Sequence, residues 1–250
     1  MATWRTSAGD PARTLRLLWR QSSERRRGPS PRLSVDDVVD TAISVADEHG
    51  LGDLGMRQVA RNLGVATMTL YTYVPAKDEL LDLMLDQVYL RMLRPDRADR
   101  HWRERLADVA NDNRALFTTH PWAAAVATTR PPLGPGQLAK YEYELRAFDG
   151  TGLGDVQIDA SLSLVLQFVR SCALAELEVR RARSESGIDD EQWWSIAGPV
   201  LAELVDETSY PTATRVGAAA GQAHDAAYSP DHTYEFGLSR ILDGIGRLIP

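Results

Sequence analysis

The chain reads as an all-α protein in two parts, a small N-terminal helical head and a larger helical body. Three features of its 250 residues predict this. Strand-like alternation of apolar and polar side chains is absent, whereas apolar residues recur at i, i+3, i+4 over 80–93, 102–117, 138–148, 156–179, 193–205 and 234–249. Proline, glycine and acidic clusters separate these stretches, as they do between helices. Residues 56–77 fall into two short helical pieces joined by Leu63-Gly64-Val65.

The first 33 residues are basic, with eight arginines against Asp10 and Glu24. Trp4, Leu15, Leu17, Leu18 and Trp19 stand among Arg5, Arg13, Arg16 and Arg20, and Glu24 to Arg32 reads as a linker. Ser34 followed by Asp37 is a capping-box-like start, and Val35, Val38, Val39, Ala42, Ile43 and Ala46 mark one face of a helix ending at His49-Gly50. Next, Val59, Ala60 and Leu63 give an apolar face, and Gly64 supplies the positive φ that ends a helix and reverses the chain. After the turn, Val65 and Leu70 point inward. Thr67, Met68, Thr69, Tyr71, Thr72 and Tyr73 form a short, hydroxyl-rich outer surface, compact enough for a groove roughly 12 Å wide. Arg57, Arg61 and Lys77 flank it, and no acidic residue lies between Asp53 and Asp78. Val74-Pro75-Ala76 breaks this helix, and Asp78-Glu79 opens the next with carboxylates at its positive end. The pattern is that of a helix-turn-helix; an ordinary helical hairpin with solvated hydroxyls is the alternative.

The order of these motifs resembles the TetR family of bacterial transcriptional regulators. The resemblance rests on Ala42, Ala46, Gly50, Leu54, Val59-Ala60, Leu63-Gly64-Val65, Leu70-Tyr71, Tyr73-Val74 and Lys77-Asp78-Glu79-Leu80, and covers about residues 34–91. Ala66 departs from it, standing where the family often has a capping Ser or Thr, which leaves the start of the second helix open by one residue. Weaker similarity to the tetracycline-repressor-like regulatory domain runs through Trp102, Arg130-Pro131, Gly152 and the apolar helix near 156–180. The resemblance implies an extension at 1–33, a DNA-binding domain at 34–80 and a ligand-binding, dimerising domain at 81–250. It implies that Thr67, Met68, Thr69 and Tyr73 face bases, while Arg57, Tyr71 and Lys77 hold phosphates or the groove edge. For Tyr71 a place in the head's own core is an equal alternative. Thr and Tyr contacts are degenerate, so no operator sequence follows. The basic extension either lies along the DNA as an arm or forms a short helix, near 12–20, packed on the body.

Net charge is −7, and positive charge gathers at the N-terminus and the helix-turn-helix, so the acidic body is expected to face away from DNA. The helix at 156–179 is apolar almost all round and needs partners on every side. With the glycine-bearing helix at 234–249 it suggests a two-fold dimer through a four-helix bundle, at Leu162, Leu166, Val169, Ala173, Leu177, Phe236, Ile241, Ile245 and Leu248. The centre of a monomeric bundle is the alternative. Two such heads would read half-sites about 34–36 Å apart.

The resemblance also implies a small-molecule effector held in the helical body. Trp122, Arg130, Tyr141, Glu142, Tyr143, Gln167, Trp193 and Trp194 are the side chains best suited to line its cavity, with Trp122, Arg130, Glu142, Gln167 and Trp193 the candidate contacts. The positions matching the histidines and asparagine that grip tetracycline and magnesium fall at Leu93, Val109 and Val126-Ala127, which cannot ligate a metal. No metal or other cofactor is expected. The five histidines form no metal-spaced set, and neither a phosphate-cradling loop nor a nucleophile elbow occurs, so no enzyme is expected. A lone Cys172, no secretory signal and no run of eighteen apolar residues point to a cytoplasmic protein without a membrane span. The expected function is ligand-controlled repression at a near-palindromic operator. A helical sensor or partner-binding protein that reads no specific DNA, or an activator of the same fold, are the alternatives.

Overall fold

The computed structural model describes residues 4–21 and 33–250. The linker expected at Glu24 to Arg32 lies outside them. Twelve α-helices follow one another among the described residues: α1 (Pro11–Leu18), α2 (Val35–Asp53), α3 (Met56–Asn62), α4 (Thr67–Tyr71), α5 (Lys77–Arg91), α6 (Trp102–Thr119), α7 (Pro121–Ala125), α8 (Pro135–Leu145), α9 (Asp155–Ser186), α10 (Asp190–Leu204), α11 (Pro211–His224) and α12 (Pro230–Gly246). The extended structure described is a single parallel bridge between Arg5 and Ala127.

The head is α2 to α4. The Ser34 hydroxyl accepts the Asp37 amide at 3.1 Å while the Asp37 carboxylate accepts the Ser34 amide at 2.7 Å, so both ends of the capping box are closed. Val38, Val39, Ala42, Ile43, Val45 and Ala46 then enter the core. Gly50 breaks the helix where its end was expected (φ 77°), and one more turn carries Leu51 and Leu54 inward. From the head, α5 runs into the body and is buried on nearly every side.

In the body, α9 packs on α6 and α12, and α8 lies along α5. Helix α9 runs on to Ser186 because an arginine-rich turn extends it past its apolar stretch, and Gly187 stops it in the left-handed conformation (φ 74°). By length and composition α9 could cross a membrane, but its inner face is committed to this packing. Residues 211–224 are helical without an apolar stripe, because alanine favours helix wherever packing does not decide. Leu162, Val169, Ala173 and Ile245, expected at a dimer seam, are enclosed within one chain, because α6, α9 and α12 cover each other's inner faces. Leu166, Leu177 and Ile241 are half-buried, and Phe236 and Leu248 are exposed.

The N-terminal segment is a strap laid across α5. Asp10 caps α1 by accepting the Arg13 amide at 2.8 Å, and Leu18 is buried. Trp4 and Thr6 pair with Ala127, Trp19 Nε1 donates to the Leu133 carbonyl at 3.0 Å, Arg13 pairs with buried Glu79, and Arg20 pairs with Asp36 at 2.6 Å. Of the two readings of the extension, residues 4–21 therefore follow the packed one; Arg13 and Arg20 are already paired within the chain.

Beneath the strap, Asp82 accepts the Ser7 amide at 2.8 Å, and its other oxygen is buried without a partner. Burial pushes its pKa up to about 6; the Ser7 amide opposes the shift and the Glu79, Asp78 and Asp86 carboxylates add to it. A folded pKa above the unfolded value of 3.8 favours the protonated carboxyl, so its contribution to stability is full below 3.8 and is lost as pH rises through about 6. Asp82→Asn is therefore expected to raise the thermal midpoint at pH 7.5 and to gain little at pH 4. Melting curves across that range check this, and an equal gain at both ends would contradict it.

Candidate nucleic-acid interface and interior cavity

Helices α3 and α4 meet at a sharp turn. Gly64 takes φ 66°, its amide donates to Arg61 O at 3.1 Å, and the Val65 amide reaches back to Ala60 O at 3.0 Å. Helix α4 starts at Thr67, with Ala66 as an N-cap that provides no side-chain acceptor. It is seated by Leu70, wholly buried together with Val74 just beyond it. Its other side is open: Met68 is 74% exposed, Thr69, Tyr71 and Thr72 are exposed, and Thr67 is partly so. Tyr71 thus stands outside the head's core, whereas Tyr73 is half-buried against it. The Thr72 hydroxyl donates to the Thr69 carbonyl at 2.6 Å. Arg57 is exposed and forms no ion pair among the described residues, while Arg61 donates to Gln58 at 3.0 Å. Lys77 is engaged within the chain. Its Nζ donates to the Leu54 carbonyl and sits 3.9 Å from the centre of the Trp4 ring, and burial lowers its pKa against the pull of Asp78. It fastens the base of the head to the strap.

The body contains a cavity of about 490 Å³ between α5, α6, α8 and α9. Tyr89, Phe117, Leu133, Leu138, Leu162 and Leu166 give it apolar walls. Lys140, Glu144 and Asn113 form a polar patch in its lining, and Tyr141, Asp159, Gln167 and Arg170 also line it. Lys140 and Glu144 are a buried pair 2.6 Å apart, and Asn113 Nδ2 donates to Glu144 at 2.6 Å.

Two stretches of the sequence match known families. Residues 38–84 match bacterial regulatory proteins of the tetR family, and residues 94–249 match the tetracyclin repressor-like C-terminal domain. The chain belongs to the TetR family. It is accordingly a DNA-binding transcriptional regulator and not an enzyme. It is 37% identical over 250 residues to the HTH-type transcriptional repressor DrrR1 of Streptomyces coeruleorubidus, covering 99% of this chain and 90% of that protein. An HTH-type transcriptional regulator of Saccharopolyspora erythraea is 33% identical over 182 residues, or 73% of this chain and 75% of the relative. Among solved structures, apo ActR of Streptomyces coelicolor superposes with a TM-score of 0.71 at 26% identity, covering 88% of this chain and 98% of ActR. ActR in complex with actinorhodin gives 0.71 at 28%, covering 86% and 95%.

Within this TetR chain, Gln167 and Tyr141 line the cavity, and the other residues expected there lie elsewhere. Trp122 is buried, but its Nε1 donates to Asp47 on α2 at 2.7 Å. Arg130 is exposed and its carbonyl accepts the Thr6 hydroxyl at 2.5 Å. Glu142 is exposed and pairs with Arg146 at 3.0 Å, and Trp193 stacks on Trp194 along α10. Tyr143 belongs to a separate cleft with Arg94, Arg97 and Arg105. Aromatic and amphipathic character finds residues that can line a cavity but does not say which faces converge. Two features of the sequence do mark the polar patch: Asn113 interrupts the apolar face of α6, and Lys140 and Glu144 stand i, i+4 on α8.

Asp47 joins head to body. It accepts Trp122 Nε1 and lies 2.8 Å from His120 Nδ1, and neighbouring Asp40 pairs with Arg91 at the end of α5. Helix α7, which carries Trp122, also touches the cavity: Ala123 lines it and the Ala124 carbonyl accepts Arg170 Nε at 2.8 Å.

Proposed function

We propose that the protein is a ligand-responsive repressor that binds a near-palindromic operator as a homodimer and is released when a small molecule fills the cavity of its body. The observation that carries the reading is the union of two features in one chain, an exposed α4 seated on Leu70 and a cavity reached from the same α7 that grips Asp47. A ligand shifts the heads only if it binds their two arrangements with different affinity, and α7 supplies the contact through which it can do so. The name of DrrR1 as a repressor and the actinorhodin complex of ActR support the same reading. Exposed Phe236, with half-buried Leu166, Leu177 and Ile241, is among the apolar residues that α9 and α12 leave for a second copy, and exposed Leu248 follows just after α12.

Selection of bound fragments from random duplexes at moderate salt tests the DNA half, with an enriched near-palindrome expected. On the selected site, Thr69→Ala is expected to relax preference at one position of each half-site at about 1–3 kcal/mol. Arg57→Ala is expected to weaken all sequences alike and to flatten the slope of log affinity against log salt by about 0.9 for each phosphate it no longer neutralises. Identical effects from the two changes would reject these roles for Thr69 and Arg57.

A further inference from the structure

The strap of residues 4–20 touches both the head and the wall of the cavity. Toward the head, the Trp4 ring lies 3.9 Å from Lys77 Nζ, which also donates to the Leu54 carbonyl, and Arg20 pairs with Asp36 on α2 at 2.6 Å. Toward the body, the strap holds the segment between α7 and α8. The Thr6 amide donates to the Ala127 carbonyl at 3.1 Å and the Ala127 amide to the Trp4 carbonyl at 2.8 Å. The Thr6 hydroxyl donates to the Arg130 carbonyl at 2.5 Å, and Trp19 Nε1 to the Leu133 carbonyl at 3.0 Å. That same segment is cavity wall, through Thr128, Pro131 and Leu133.

The strap is seated at a cost. Ser7 and Arg20 bound it in the left-handed region, at φ 54° and 52°, a conformation that side chains disfavour. Thr14 Oγ1 on the strap, and Glu79 Oε2 and Asp82 Oδ2 beneath it, are buried without hydrogen-bond partners. Elements docked against such costs are the ones that open first.

Resting on the operator reading of α4, we infer that the strap is a brace, with Trp4 as its positioning residue, that couples the cavity-lining segment 127–133 to the head and is docked when operator is bound. Docked, it fixes Lys77 and Asp36 against the body. Undocked, it leaves the head free to swing, and that freedom must be given up each time two heads settle on one duplex. A ligand that moves Thr128 or Leu133 then weakens operator binding through the strap as well as through α7. The brace needs no contact between its arginines and phosphates, and Arg13 and Arg20 are paired within the chain.

Coupling is reciprocal, so operator bound at α4 must be felt at Ala127, and the test needs no effector. Hydrogen exchange of the full-length protein, with and without the selected operator fragment, is expected to show the Thr6 and Ala127 amides slowed at least about fivefold by the operator. Trp4→Ala is expected to cut that slowing below about twofold and to weaken operator binding at least about fivefold, with the salt slope unchanged. Arg5→Ala, which removes an exposed charge but keeps the backbone bridge to Ala127, should alter none of these. Thr6→Val, which removes the hydroxyl that holds Arg130, should reduce slowing and affinity in the same direction, and serves alone if Trp4→Ala does not fold. Combined with Trp4→Ala it should cost no more than the greater single loss, because both cut one brace. Exchange that the operator leaves unchanged or speeds, slowing that survives Trp4→Ala, additive losses, or a salt slope flattened by Arg5→Ala would each overturn the inference while leaving operator binding in place. A selection that yields no operator would reject the reading of α4, and the inference with it.

Discussion

Gly136→Ala is expected to lower the thermal midpoint by about 10 °C or to leave the protein unfolded. Gly136 lies where α8 meets α5, and a Cβ there would fall 1.9 Å from the Asp86 carbonyl oxygen, with the Leu90 amide 2.9 Å away. These are backbone atoms, which cannot swing aside as a side chain does. Overpacking of a core usually costs about 1–3 kcal/mol, and a clash with the backbone of α5 belongs at or above the top of that range. For a chain of this size each kcal/mol moves the midpoint by about 2–4 °C. The helices must separate, and with them go the Gln137 amide that Asp86 accepts at 2.8 Å and the Lys140–Glu144 wall one turn further on. Gly52→Ala is the control: nothing lies within 4 Å of the added methyl, so its midpoint should shift by no more than a few degrees. Circular-dichroism melts of the two variants decide the matter, and indistinguishable curves would show that α5 and α8 do not approach as described.

Leu70→Ala is expected to reduce operator affinity at least a hundredfold while most of the helical content is kept. Helix α4 is five residues long, far below the length at which a helix holds itself in water, so its shape depends on the side chain that docks it. Leu70 is that side chain, fully buried where its neighbours on both sides are exposed. Truncating a buried leucine to alanine costs about 2–5 kcal/mol, enough to leave α4 unseated in much of the population. Helix α4 packs chiefly on α3, whereas α6, α9 and α12 pack on one another, so most of the helical body does not rest on Leu70. Operator titration alongside far-ultraviolet dichroism separates the two effects. Wild-type affinity in the variant would sink the role given to Leu70. Val156→Ala, at a residue 84% exposed, is expected to change neither quantity.

The head was legible because its information is local. A capping box spans four residues, the turn at Gly64 needs one positive φ, and the apolar faces of α2 and α3 repeat within a turn or two. Helices with a strong apolar face were likewise legible, though α9 runs past its expected end on an arginine-rich turn, and alanine-rich α11, which has no such face, was not foreseen. The cavity lining was far less so. Trp122 and Gln167 look equally suited to a pocket in the sequence, yet one is spent on Asp47 across the domain junction and the other lines the cavity. The residues expected at a dimer seam divided for a related reason: α9 is apolar almost all round, and periodicity alone cannot tell the side taken by α6 and α12 from the side left over.

By itself the sequence determined the all-α class, the helix-turn-helix and the family, since each is built from motifs of a few residues set in order along the chain. Only the tertiary structure decided that Arg13 meets Glu79, 66 residues away, that Trp122 meets Asp47, 75 away, and that Asn113 joins Glu144 across 31. Such contacts carry no local period. They form because buried polar groups require partners, and packing brings those partners from distant helices.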